Sequence, residues 1–180
     1  MRIARMELAY RLRDPWRAHA PREQLRFAET TRFITERAGP HFANVLEIGC
    51  GEGHQSEQLA RRADHLTGLD VSRPAVLRAR RRVPSATFTE GQLHEQPWAN
   101  ERGRFDLVTA CEVLYYVRDQ RRLLAAMDRM GRHRVATWYL PANRVCAEAM
   151  MEMPGVLRTT AHQDGMSWVM AYWRGEVARA

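Results

Sequence analysis

At 180 residues the chain is long enough to bury one core and too short for two generous ones. A composition that is 45% hydrophobic with five Trp excludes a disordered or fibrous protein, and no apolar run approaches the ~20 residues of a spanning helix. The formal charge of +7 rests on 28 basic residues, all Arg and never Lys, a bias that reads as composition before it reads as a nucleic-acid surface.

The opening MRIARMELAYRLRDP carries Arg5, Glu7, Arg11 and Arg13, which interrupt the apolar core that a secretory signal requires, so cytoplasmic residence and no membrane partner are expected. Pro21 to Ala38 reads as a helix. Proline suits its first turn, Phe27, Thr31, Ile34 and Ala38 recur at helical spacing, and Gly39-Pro40 stops it. Beyond residue 40 short β-like runs alternate with helical segments, the pattern of a mostly parallel α/β sheet. The expected order is a strand at Asn44 to Ile48, a glycine loop, a helix near Ser56 to Arg62, and a strand at His65 to Leu69 that ends in Asp70. Ser72-Arg73-Pro74 opens a helix on which Val76, Ala79 and Val83 share a face, and its Arg78, Arg80, Arg81 and Arg82 read as a solvated surface. Ala86 to Thr89 is a third strand and Phe105 to Ala110 a fourth, followed by a helix at Asp119 to Met130 with Leu123, Leu124 and Met127 inward. A fifth strand covers Arg134 to Tyr139, and a short helix is expected near Ala142 to Met151. Val156 to Ala161 and Met166 to Trp173 then form a hairpin across Gln163-Asp164-Gly165.

The chemistry concentrates in VLEIGCGEGHQSEQL, Val45 to Leu59. Glycines at a strand-to-helix turn supply positive φ or let a ligand approach bare backbone. The dinucleotide fingerprint fails because His54 stands where its third glycine belongs, and the phosphate-binding loop fails because there is no lysine. What remains is Glu47, Gly49, Gly51 and Gly53. The acids Glu47 and Glu52 would repel a pyrophosphate but welcome a cationic or zwitterionic ligand. Asp70, closing the second strand, is placed to accept from both hydroxyls of a ribose. An adenosine with an amino-acid tail and a positive sulfur meets these demands, which is S-adenosylmethionine.

VLEIGCGEG, GLDVS and FDLVTACEVLYYV, in that order and at these intervals, resemble the motifs of class I S-adenosylmethionine-dependent methyltransferases over roughly residues 40 to 140. The DPW at Asp14 to Trp16, the helix after it and the EVLYY box resemble the nodulation protein S branch of that family, whose founding members N-methylate the amino sugar of a chitooligosaccharide. The resemblance implies a Rossmann-like, seven-stranded sheet in the order 3-2-1-4-5-7-6, with helices on both faces and an antiparallel terminal hairpin. It implies one domain, residues 40 to 180 as the core and 1 to 39 as a lid. It places Gly49, Cys50, Gly51 and Gly53 under the methionine tail, Glu47 near its ammonium, and Asp70 with Val71 at the ribose. Gln92 and Leu93 fall at the adenine, where Gln92 replaces an acidic residue more common in the family and offers an uncharged carbonyl.

Residues after the fourth strand should face the transferred methyl group. Glu112 is the candidate base or orienter, with Tyr115 or Tyr116 positioning the acceptor, and because side chains alternate on an extended stretch one tyrosine is expected in the core. Of Trp138 and Tyr139, one should wall the pocket and the other pack. His94, His133 and His162 lack a ligand-spaced partner, and no metal site is expected. Cys50, Cys111 and Cys146 show no pairing pattern and read as reduced thiols, with Cys111 a buried filler. With one short helix over Pro141 to Met153 instead of a cap, the site should be shallow or closed chiefly by Tyr10, Trp16 and the helix after Pro21. That suits a small or medium-sized acceptor, glycosylated or bulky, methylated at nitrogen before oxygen. A non-catalytic cofactor-binding partner protein and an RNA methyltransferase are the competing readings. The second lacks an Asn/Asp-Pro-Pro-Tyr box.

Overall fold

The computed structural model describes residues 3–142, 146, 150, 155–163 and 165–175. Strands β1 (Phe42–Ile48), β2 (Ala63–Asp70), β3 (Thr87–Glu90), β4 (Phe105–Cys111), β5 (Gly131–Tyr139), β6 (Leu157–Gln163) and β7 (Met166–Arg174) form one sheet in the order β3-β2-β1-β4-β5-β7-β6. Strands β1 to β5 pair in parallel, whereas β7 runs antiparallel to both β5 and β6. The expected topology, terminal hairpin included, is present.

Burial on both faces explains why the strands read as near-continuous apolar runs. Neighbouring residues point to opposite sides. Val45, Leu107 and Val135 pack on one face with Ile34 and Leu59, whereas Leu46, Val108 and Ala136 pack on the other with Leu124, Met127 and Trp138. The helices follow from the same accounting: α2 (Pro21–Ala38) and α3 (His54–Ala60) cover the first face, and α5 (Gln120–Met130) covers the second. Pro21 starts α2, Ser72 caps α4 (Arg73–Arg82) by accepting from Ala75 N, and Asp119 caps α5 by accepting from Arg122 N at 3.0 Å.

Several boundaries differ from the sequence reading. Strand β5 begins at Gly131, ahead of the expected Arg134, because the buried Arg134 is no surface cation: its guanidinium donates to the carbonyls of Met127 and Asp128 at the end of α5. The arginines of α4 are also not a uniform solvated face. Arg78 pairs with Glu52, Arg80 donates to Phe88 O, and Arg82 reaches Glu52 O and Glu57, leaving Arg81 outward. The short helix expected at 142–151 lies mostly outside the described residues; within it Cys146 and Met150 are helical and buried. Asp164 of the hairpin turn is outside them too, while Gly165 beside it has φ +74°. Among the described residues no helix is long and apolar enough to cross a membrane.

Candidate functional site

At the carboxyl end of β1 the chain turns through Gly49, Gly51 and Gly53 at φ +75°, +53° and +82°. These are left-handed conformations that an L side chain adopts only with strain. Gly49 N and Cys50 N both donate to Leu69 O, so the turn stays registered to β2. A Cβ on Gly49 would also collide with the Val113 side chain. Gly49, Cys50 and Gly51 line a cavity of about 940 Å³, whereas Gly53 does not. Its added Cβ would lie 3.1 Å from Ala79 Cα, so this third glycine lets α3 start against α4.

The acids around the loop differ in kind. Glu47 is buried, accepts from Ser56 Oγ at 2.5 Å, and has its pKa pushed up to about 8, first by burial, against the pull of Ser56, with the nearby Asp70 charge adding to the rise. Asp70 accepts from Gly51 N and Ser72 N, each at 2.9 Å and each on a different oxygen, which leaves further lone pairs on both. Burial raises its pKa and these amides oppose the rise. Glu52 is paired with Arg78 at 2.5 Å, so the anionic character expected of the loop is partly cancelled by α4. Val71, Gln92 and Leu93 line the same cavity. Gln92 caps the 3₁₀ turn Leu93–Glu95: its side chain accepts from the Glu95 backbone N–H, its amide nitrogen donates to Glu95 Oε1 at 3.1 Å, and Glu95 in turn accepts from Gln92 N.

After β4 the chain does not stay extended. Glu112 sits at φ +59° and Leu114–Tyr116 forms a 3₁₀ turn. The expectation that one tyrosine would be core holds only in part, for a geometric reason: residues in a three-per-turn helix fan out, so Leu114 takes the fully buried position and both tyrosines line the cavity, Tyr115 packing against the core as well. Their rings meet edge to face with centroids 4.4 Å apart. Glu112 is held by three donors, Tyr115 Oη at 2.8 Å, Thr137 Oγ1 at 3.0 Å and Tyr139 N at 3.0 Å. The tip of β5 divides as anticipated. Trp138 is buried in the core and Tyr139 lines the cavity at 38% exposure.

The N-terminal segment packs beside this wall. Helix α1 (Ile3–Ala9) buries Met6, and with it the following Tyr10, against Ala75. Trp16 lines the cavity, edge-on to Tyr10 at 6.4 Å and tilted against Tyr116 at 6.0 Å. Asp14 N donates to Glu52 and Arg78 donates to Leu12 O, so the segment is tied to the glycine loop and to α4. Sequence reasoning missed the polar face of α2: Glu23, Arg26 and Phe27 line the cavity, as does Gln55 of α3. The signal was there in the i, i+3, i+4 spacing of 23, 26 and 27 on the face that carries Ile34.

Burial and Glu47 push the Cys111 thiol up to about 12, so it is no nucleophile. His133 bonds Tyr172 Oη and His162 bonds Ser167 Oγ, whereas His94 stands at the exposed rim of the cavity. Among the described residues Asp14, Glu52 and His54 bring possible metal-ligand atoms within 4.8 Å of one another. Arg78 already holds Glu52, Arg82 lies 3.2 Å from His54 Nε2, and backbone N–H groups hold Asp14, so cations and donors of the chain occupy these atoms.

The family model for nodulation protein S matches residues 2–136. Nodulation protein S of Rhizobium tropici is 33% identical over 120 residues, covering 66% of this chain and 50% of that protein. The ubiquinone biosynthesis O-methyltransferase of Escherichia fergusonii is 29% identical over 144 residues, covering 77% and 52%. The chain thus spans about half the length of these curated relatives. Among solved structures, the N-methyltransferase NodS of Bradyrhizobium japonicum WM9, crystallised with S-adenosyl-l-homocysteine, superposes with a TM-score of 0.80 at 24% identity over 97% of this chain and 98% of that one.

Proposed function

The chain belongs to the nodulation protein S family, and from that premise we propose that it is an S-adenosylmethionine-dependent methyltransferase acting on a small or medium-sized amine, an amino sugar first. The observation that carries this reading is a single cavity with two chemically different walls. One is the left-handed glycine turn with Glu47 and Asp70; the other is Glu112 with Tyr115, Tyr116 and Tyr139. Small-molecule sites usually span roughly 300–1,000 Å³, so a cavity of about 940 Å³ has room for a cofactor and an acceptor together.

The residues present fit the cofactor. Asp70 has spare acceptor capacity for ribose hydroxyls, Gln92 and Leu93 line the cavity at the capped turn where the adenine is expected, and bare backbone at Gly49 and Gly51 admits close approach. When bound, S-adenosylmethionine supplies a methyl group activated on a sulfonium. The chain's contribution is then orientation and exclusion of water, and orientation alone is worth up to ~7–11 kcal/mol in well-aligned systems. Glu112 acts as an orienter in preference to a base: three donors already share its oxygens, and they fix the Tyr115 hydroxyl and the tip of β5. His54 is committed to Arg82, and burial lowers its pKa. A wall with no free strong base suits an amine, which attacks once neutral, better than an alcohol. The likeness to the O-methyltransferase keeps a hydroxyl as the second reading.

The test is incubation of the protein and S-adenosylmethionine with glucosamine, chitobiose and a catechol. We expect S-adenosylhomocysteine to form with an amino sugar, and mass spectrometry to show one added methyl on its nitrogen. Turnover confined to the catechol would move the assignment to oxygen, and failure to bind S-adenosylhomocysteine at all would remove the enzyme reading.

A further inference from the structure

Aromatic rings form a row that crosses the cavity from one wall to the other. At the cofactor end Tyr10, 5% exposed, lays its hydroxyl against the glycine turn: a Cβ added at Gly51 would lie 2.8 Å from Tyr10 Oη. At the acceptor end Tyr116 meets Tyr115, whose hydroxyl donates to Glu112. Trp16 adjoins both ends, its ring centroid 6.4 Å from that of Tyr10 and 6.0 Å from that of Tyr116, with planes inclined by 80° and 39°. All four rings line the cavity. Trp16 therefore stands at the junction of the two walls, where a donor sulfur and an acceptor atom would have to meet.

An aromatic face attracts a cation lying within about 6 Å of the ring centroid, and groups of such faces recognise methylated and quaternary ammonium ions. Elsewhere the chain stacks its own arginines on its rings. Arg26 lies 4.5 Å from the Phe27 centroid, Arg37 lies 5.8 Å from Phe33, and Arg104 lies 5.6 Å from both Trp98 and Phe105. Among the described residues no arginine stands over Tyr10 or Trp16, although the chain has 28 of them. The negative charge of Glu112 is felt at Tyr115 and at Tyr116, so the acceptor end of the row also favours a cation.

We propose that Tyr10, Trp16 and Tyr116 form a cation-binding cage for the acceptor nitrogen, which holds it as the methylated ammonium and ranks amines above alcohols. This rests on the methyltransferase reading above and deepens it. When a neutral amine attacks a sulfonium methyl group, the C–N bond forms as the C–S bond breaks, the electron pair of that bond goes to sulfur, and the positive charge passes to nitrogen. An alkoxide attacking the same carbon ends neutral. Aromatic faces at the junction are therefore worth more to nitrogen in the transition state and in the product. The N-methylated product also binds tighter than its parent amine, because methyl groups make the charge cheaper to dehydrate.

Choline and its uncharged isostere 3,3-dimethylbutan-1-ol differ chiefly in charge, so they read the cage without turnover. With S-adenosylhomocysteine saturating, NMR titration should show choline binding about 10-fold tighter than the alcohol. Trp16→Leu, which keeps apolar bulk, should bring the two within about twofold, whereas Trp16→Phe should retain most of the difference. N-methyl-glucosamine should bind the unaltered protein several-fold tighter than glucosamine. S-adenosylhomocysteine affinity within twofold of the unaltered protein reports that each variant is folded. Equal binding of choline and the alcohol, or a preference for choline that survives in Trp16→Leu, would overturn the proposal. So would a loss of S-adenosylmethionine affinity in Trp16→Leu with S-adenosylhomocysteine unchanged, since the cation in the cage would then be the sulfonium. Failure of the unaltered protein to bind S-adenosylhomocysteine would instead strike the reading on which the cage rests.

Discussion

The two walls of the cavity are built in opposite ways. The cofactor wall comes from a short stretch, Glu47 to Gly51, closed by Asp70, whose residue types are dictated by backbone conformation: positive φ at Gly49 and Gly51, and a carboxylate that ties the turn to the start of α4. The acceptor wall draws Trp16, Glu112, Tyr116 and Tyr139 from three places in the chain, the N-terminal segment, the turn after β4 and the tip of β5, which meet through side-chain contacts. A wall made of backbone geometry tolerates little substitution, whereas one made of side chains can be changed piece by piece. Acceptor identity is therefore free to diverge while the cofactor stays the same.

That contrast predicts a graded set of effects. The largest is expected at Asp70→Ala, which removes the acceptor for Gly51 N and Ser72 N as well as the proposed ribose partner: S-adenosylhomocysteine affinity should fall about 100-fold or more by calorimetry. Retention of micromolar binding would show that the loop holds its shape without the carboxylate. Glu112→Ala comes next. It leaves the donors of Tyr115, Thr137 and Tyr139 without an acceptor, so thermal unfolding should show a loss of about 1–3 kcal/mol, with methyl transfer falling more than cofactor affinity does. If Glu112→Ala kept its stability and lost only turnover, the carboxylate would be a base after all. Trp16→Ala should raise the acceptor KM by about 3- to 10-fold and leave S-adenosylhomocysteine affinity within twofold, which separates the two walls directly. Arg81→Ala on the outward face of α4 should change unfolding by no more than ~0.5 kcal/mol.

Protonation sharpens the comparison further, because the cofactor wall contains a carboxyl that titrates near neutrality. Glu47 has a pKa of about 8 against an ordinary 4.5, so the folded, ligand-free protein holds an extra proton between those values. Glu47 then contributes most to stability below pH 4.5, and this contribution is lost as pH rises through about 8. An ammonium bound beside it favours the ionised form. Cofactor binding at pH 7 should therefore release a proton, seen as a calorimetric heat that varies with buffer ionisation enthalpy, and affinity should rise between about pH 6 and 7.5. Glu47→Gln should abolish both effects; a buffer-independent heat in the unaltered protein would place the charge elsewhere.

Legibility followed the same division. The strand order, the glycine turn, Asp70 and the carboxyl edge of β4 were readable because alternation, glycine punctuation and strand-end carboxylates are local patterns. Three readings went astray where tertiary packing overrode them. Gly53, expected under the methionine tail, lies outside the cavity lining, and its Cβ position is 3.1 Å from the Ala79 backbone where α3 approaches α4. Tyr115 and Tyr116 both reach the cavity because Glu112 at φ +59° starts a 3₁₀ turn that no spacing rule announces. Arg78, read as part of a solvated face in a lysine-free chain, turns out to be the partner of Glu52.

By itself, then, the sequence determined the fold class, the turn that admits a cofactor and the carboxylate at its far end, because backbone conformation and strand periodicity are set by near neighbours. Only the tertiary structure decided that Glu112 collects three donors, that Trp16 lies against Tyr116, and that Arg26 and Gln55 line the same cavity. Those relations join residues up to a hundred positions apart, and they exist only once the sheet has brought the ends of its strands to one edge.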